Sequence, residues 1–152
     1  MVTANFNDIE GTERQTPRLS IQCESIGPDT TTIRSLDWDR SRFDIEFGLR
    51  NGTTYNSFLV KGSKTALIDT SHCKFHDDWF PILKKEIDPG SIDYLIVSHT
   101  EPDHSGLIKD LLRLNPKIEI IGSKVAIQFL NDQIHHPFKS QLVKTGDELD
   151  LG

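Results

Sequence analysis

Only two cysteines and one methionine occur in the 152 residues, and no apolar run approaches the roughly 18 residues of a bilayer span. Cys23 and Cys73 stand far apart, form no CxxC and outline no disulfide framework, so a reducing cytoplasm is the simplest setting. Residues 1–28 lack the basic, then apolar, then small-residue order of a secretory signal. A net charge of -6 with no basic cluster argues against a nucleic-acid surface. Neither a GxGxxG nor a Walker phosphate motif occurs, and there is no internal repeat. What remains, 36% hydrophobic and 26% charged, is the composition of one soluble globular domain.

Residues 1–30 are polar and aperiodic, which predicts a flexible leader with a short strand at Leu19-Ser20-Ile21-Gln22. Residues 31–152 form the domain. Alternation predicts strands at 31–36 and 43–47, and Asn51-Gly52 predicts a turn between 48–50 and 53–55. Residues 56–60 and 65–69 read as a hairpin. A helix follows over about 75–87, with Pro81 inside it as a warning that it starts later. Strand 92–97, helix 107–114, strand 118–121 and a helix capped by Ser123 and running to about 130 come next. Residues 141–143 and 148–151 frame a turn at Thr145-Gly146-Asp147. A strand meander followed by strand–helix alternation predicts a mixed sheet with helices on one face. No helix covers the last element before Gly152, as expected of a truncated domain.

The chemistry concentrates in Ser98-His99-Thr100-Glu101-Pro102-Asp103-His104-Ser105-Gly106. It follows the buried-strand run Tyr94-Leu95-Ile96-Val97 and sets four metal-ligand side chains, His99, Glu101, Asp103 and His104, close together. His99 and Glu101 are two apart, so in extended backbone they leave one side of the chain. Pro102 disfavours helix at Glu101 and keeps that pair aligned. Asp103 and His104 then turn toward a second ion, and Ser105-Gly106 allow a sharp turn into a helix. The nitrogen and oxygen donors, without a thiolate, suit iron, manganese or zinc. An isolated His with an acidic neighbour is usually a solvated pair. Four ligating side chains at the end of a strand point instead to a dinuclear centre.

Other residues compete less well. His72 and His76 lie four apart on a helix start but lack a completing carboxylate. His135 and His136 follow a helix, where a capping role is favoured over ligation. Asp69 ends an apolar strand on the motif's side of the sheet and is a candidate to hold a ligand imidazole, against a plain turn role. Trp38 and Trp79 read as packing residues, and Lys84-Lys85 as a solvated face.

The motif resembles that of the metallo-β-lactamase superfamily, His-x-His-x-Asp-His after a strand, with Glu101 in place of the second His. His-x-Glu-x-Asp-His is the form found in flavodiiron proteins. The likeness extends through residues 33–40, 43–48, 51–57 and 67–69, spans about 31–152, and is nearest to the oxygenic-phototroph branch, the diflavin flavoproteins. It implies an αββα sandwich of which this chain is the N-terminal half. It also implies two irons, one on His99 and Glu101 and the other on Asp103 and His104, with the remaining ligands later in sequence. FMN and NAD(P)H sites are implied outside this chain, and so is head-to-tail assembly with a like or related flavodiiron subunit. The implied reaction is reduction of O2 to water, or of NO. An anionic oxygen donor at Glu101 stabilises ferric iron, whereas hydrolytic relatives keep imidazole and zinc. A dinuclear metallohydrolase is the alternative, and an inactive or regulatory fragment a further one.

Overall fold

Why the chain pairs as it does follows from which strand positions are apolar. A computed structural model describes residues 18–43 and 47–152. The first strands are β1 (Leu19–Gly27), β2 (Thr30–Asp37), β3 (Arg42–Phe43), β4 (Phe47–Gly48), β5 (Thr53–Lys61) and β6 (Thr65–Ile68). Then come α1 (His76–Glu86), β7 (Tyr94–Val97), α2 (Pro102–Ser105), α3 (Ile108–Leu114), β8 (Glu119–Gly122), α4 (Lys124–Ile134) and β9 (Lys139–Leu142). Seven strands form one sheet in the order β1-β2-β5-β6-β7-β8-β9, antiparallel through β6 and parallel from β6 onward. The mixed sheet expected from the element order is therefore present.

Register makes the two faces unequal. Leu59, Leu67, Leu95 and Ile120 lie side by side across four strands, and each is 0% exposed. With Ile33 and Tyr55 they meet Phe75, Trp79 and Leu83 near and within α1, Leu111 of α3, and Ile127 and Leu130 of α4 in one cluster. All three longer helices thus cover the same face. The adjacent row, Phe58, Ile68 and Ile96, points the other way and is only half-buried.

Several expectations are corrected. Residues 19–27 form a full strand against β2, so the leader predicted over 1–30 gives way to sheet from Leu19. Leu19, Ile21 and Cys23 alternate inward with exposed Ser20, Gln22 and Glu24, a pattern weakened at Ser25–Gly27 by a register shift. The first seventeen residues of that leader lie outside the described residues. The single strand expected over 43–47 is instead an antiparallel pair, β3 with β4, and residues 44–46 lie outside the described residues. Asn51-Gly52 does form a turn, but the strands flanking it do not pair with each other; β5 pairs with β2. Gly52 has a φ of 72°, and a Cβ there would lie 2.0 Å from the Asp37 carbonyl oxygen. Glycine is required on both counts.

A short 3-10 turn, Cys73–Phe75, precedes α1, which runs through Pro81 unbroken. The exposed Pro81 deprives only the Asp77 carbonyl of its helical donor, and water reaches that side. Ser123 caps α4 as expected, its hydroxyl accepting from Ala126 N, but the helix continues to Ile134 because Ile127, Leu130 and Ile134 keep the apolar stripe going. Residues 148–151 form no strand. They cross to the β5–β6 turn, where Leu151 O accepts from Lys64 N at 2.9 Å.

Candidate metal centre

The ligand loop leaves the sheet at Val97, the last residue of β7. Glu101 is extended, with φ -63° and ψ 153°, and acts as the N-cap of α2, with Pro102 as its first residue. Proline is suited there because its missing N–H would have no partner anyway. His104 N and Ser105 N both donate to Glu101 O at 2.9 Å, and the Ser105 hydroxyl donates to Thr100 O at 2.8 Å. These bonds wind Asp103 and His104 onto one turn of helix rather than leaving them in a loop. The expected turn into a helix falls at Gly106–Leu107, where it joins α2 to α3 with Gly106 in right-handed backbone (φ -60°, ψ -22°).

Of the four predicted ligands, two pairs are brought together. His99 Nε2 lies 3.1 Å from Glu101 Oε1, and His104 Nε2 lies 3.6 Å from Asp103 Oδ2. The two imidazole centroids are 5.6 Å apart. Among the described residues no three His, Cys, Asp or Glu side chains gather around a common point. The four donors are arranged two and two.

Asp69 accounts for much of this geometry. It is 4% exposed and sits at a positive φ of 55°, a conformation Asp tolerates better than most residues. Its carboxylate accepts from Ser98 N at 2.8 Å and from the Ser98 hydroxyl, and it lies 2.9 Å from His104 Nδ1. An ionised carboxylate only accepts, so Nδ1 carries the proton and the Nε2 lone pair is left free. Thr70 adds a second restraint: its N–H and hydroxyl both donate to His104 O, at 2.8 and 2.7 Å.

His99 is set differently. Thr100 N donates to its Nδ1 at 3.0 Å, which places the neutral ring's proton on Nε2, facing Glu101. These residues fit a dinuclear metal group in donor chemistry. His104 Nε2 carries no proton, whereas the His99 proton sits on Nε2, 3.1 Å from Glu101 Oε1.

The other candidates fall elsewhere. His72 Nδ1 accepts from Lys74 N and caps the 3-10 turn, and its ring stacks on Tyr55 at 6.0 Å. His76 lies 2.8 Å from Asp77, so the two histidines form no ligand pair. His135 is the left-handed C-cap of α4, and His136 is exposed. Trp79 is fully buried, donating to Ser57 Oγ at 3.1 Å, while Trp38 is half-exposed and donates to Ser20 Oγ.

Sequence reasoning missed one buried polar cluster. Tyr55, 2% exposed, donates to Asp37 Oδ2 at 2.9 Å, and Lys74 Nζ donates to the same oxygen. Arg40 donates to the Tyr55 hydroxyl at 3.3 Å. Burial first, and then the bond to Asp37, hold the Tyr55 phenol well above its ordinary pKa. No local pattern signals the cluster, because Asp37, Tyr55 and Lys74 meet only through strand pairing and the 3-10 turn.

Burial, followed by the charges of Lys74 and Arg40, holds the His72 pKa below its usual value. The unfolded chain then takes up the His72 proton more readily than the folded one. Stability contributed by this group is present above the unfolded pKa of about 6.5 and is lost as pH falls below it. His72→Asn keeps a capping acceptor without a titrating ring. Urea midpoints measured from pH 7.5 to 5.5 are expected to fall less steeply for this variant. Parallel curves for the two proteins would remove His72 from the account.

Comparison with known proteins identifies the relatives of this chain. The model of the family described as ODP family beta lactamase matches residues 53–151. The chain is 62% identical over 135 residues to diflavin flavoprotein A 1 of Synechocystis, covering 89% of this chain and 24% of that protein. It is 42% identical over 111 residues to the flavo-diiron protein FprA2 of Clostridium acetobutylicum, covering 72% and 28%. The metal-soaked Flv1 flavodiiron core from Synechocystis superposes with a TM-score of 0.82 at 38% identity, covering 90% of this chain and 34% of that one. Rubredoxin oxygen:oxidoreductase from Desulfovibrio gigas gives 0.79 at 30% identity, covering 86% and 33%. The chain spans about a quarter of the length of the curated relatives it matches. With its mixed sheet, one-sided helices and His-x-Glu-x-Asp-His loop, the chain belongs to the ODP family of β-lactamase-like domains, within the flavodiiron proteins.

Proposed function

We propose that this chain is part of a flavodiiron oxygen reductase, in which two irons reduce O2 to water with electrons passed from NAD(P)H through flavin. NO is the close alternative acceptor. The observation that carries the reading is Glu101 beside His99, an anionic oxygen donor where hydrolytic relatives place a second imidazole. A carboxylate favours ferric iron and redox cycling over zinc-bound hydroxide.

In this reading His99 and Glu101 hold one iron, and Asp103 and His104 the other. When bound, the irons would supply redox chemistry at this loop. Asp69 keeps the proton of His104 on Nδ1, so that Nε2 stays a donor of electrons to metal. Thr70 fixes the backbone that carries it. The resemblance assigns the bridging carboxylate and the remaining imidazoles to sequence after residue 152. FMN, NAD(P)H and a head-to-tail partner subunit likewise belong to parts of the protein outside this chain. A cytoplasmic setting fits the two unpaired cysteines, and among the described residues no helix is long and apolar enough to cross a membrane.

Glu101→His in the longer protein tests the reading. With iron and zinc supplied equally, the bound iron-to-zinc ratio is expected to fall by about tenfold or more, and O2 uptake to fall with it. Unchanged iron loading and turnover would mean that Glu101 does not set the chemistry.

A further inference from the structure

The two halves of the ligand loop differ in how much must change before a metal binds. His104 is restrained at three points: Nδ1 by Asp69, and its carbonyl oxygen by the N–H and the hydroxyl of Thr70. Its side chain is 33% exposed and that of Asp103 13%. In this half the ring proton already sits away from the metal side, and the imidazole is held before any ion arrives.

The His99–Glu101 half is looser, at 56% and 50% exposed. There His99 Nε2 and Glu101 Oε1 lie 3.1 Å apart. For His99 to offer Nε2 to a metal, its proton must leave that nitrogen. Nδ1 must then carry the proton and give up the Thr100 N–H. Among the described residues no buried carboxylate holds this ring as Asp69 holds His104. Binding here therefore breaks the Thr100 N–H bond to Nδ1 and orders two exposed side chains, costs that the other half does not meet.

We infer that the loop takes up metal in order, the Asp103–His104 half first and the His99–Glu101 half second. This rests on the metal-site reading above, and Asp69 is the residue that sets the order. It is a positioning residue, since it touches the imidazole and not the metal.

The test is a Zn2+ titration of the 15N-labelled 152-residue chain at pH 7.5. Long-range 1H–15N spectra of the side chains follow all six histidines separately. The His104 ring is expected to reach half of its shift at about tenfold lower Zn2+ than the His99 ring, with His135 and His136 unmoved. In Asp69→Asn the His104 midpoint is expected to rise by about 10–100-fold, the range for loss of such a supporting contact, while that of His99 stays. The order would then vanish or reverse. Equal midpoints in the wild-type chain, His99 responding first, or an order that survives Asp69→Asn would each overturn the inference while leaving the metal site standing. If neither ring responds to Zn2+, the metal-site reading falls and the order falls with it.

Discussion

His104→Ala or Asp103→Ala in a complete flavodiiron protein carrying this domain is expected to strip iron and abolish O2 reduction together. Each change deletes half of the more tightly restrained pair, and for His104 it also leaves the buried Asp69 carboxylate without its imidazole. Loss of a supporting contact alone weakens metal binding by about 10–100-fold, so deletion of a direct donor is expected to exceed that. The measurements are iron per protein after purification and O2 uptake with reduced flavin. Circular dichroism should be unchanged, because neither side chain contributes to the hydrophobic cluster. His99→Ala is expected to be milder in iron content, since that half of the loop is the more exposed. Stoichiometric iron in His104→Ala would remove the residue from the ligand set.

What the sequence disclosed was whatever is local. The four-residue run at 94–97, the proline at 102 and the close spacing of four ligating side chains all act within one turn or one strand. The 98–106 loop and the closeness of His99 to Glu101 were readable for that reason. Asp69 was readable only as a candidate. The sequence shows that it ends a strand, but its bonds to Ser98 and His104 depend on β6 lying beside β7. Non-local pairing also explains the errors. The Asn51-Gly52 turn is real, yet nothing nearby says that β5 will choose β2. The strand at 19–27 was underestimated because polar Gln22, Glu24 and Ser25 face solvent on an edge strand, where burial is one-sided. The Asp37–Tyr55–Lys74 cluster was invisible for the same reason.

Gly106 is the place where packing and site meet. Its φ is ordinary, so conformational freedom does not explain a glycine there. Close approach does. A Cβ would lie 2.5 Å from Pro102 O and 2.8 Å from both Cys73 N and Ser71 O, all of them backbone atoms that cannot swing aside. Gly106→Ala is therefore expected to push α2 away from residues 70–73, costing about 1–3 kcal/mol by overpacking. The displacement would stretch the Thr70 bonds to His104 O and the Asp69 contact to its ring, so the His104 response to Zn2+ should weaken along with the thermal midpoint. Gly48→Ala is the control, since an added Cβ there meets nothing within 4 Å. A Gly106→Ala chain as stable and as zinc-responsive as Gly48→Ala would show that the ligand helix is not held by this contact.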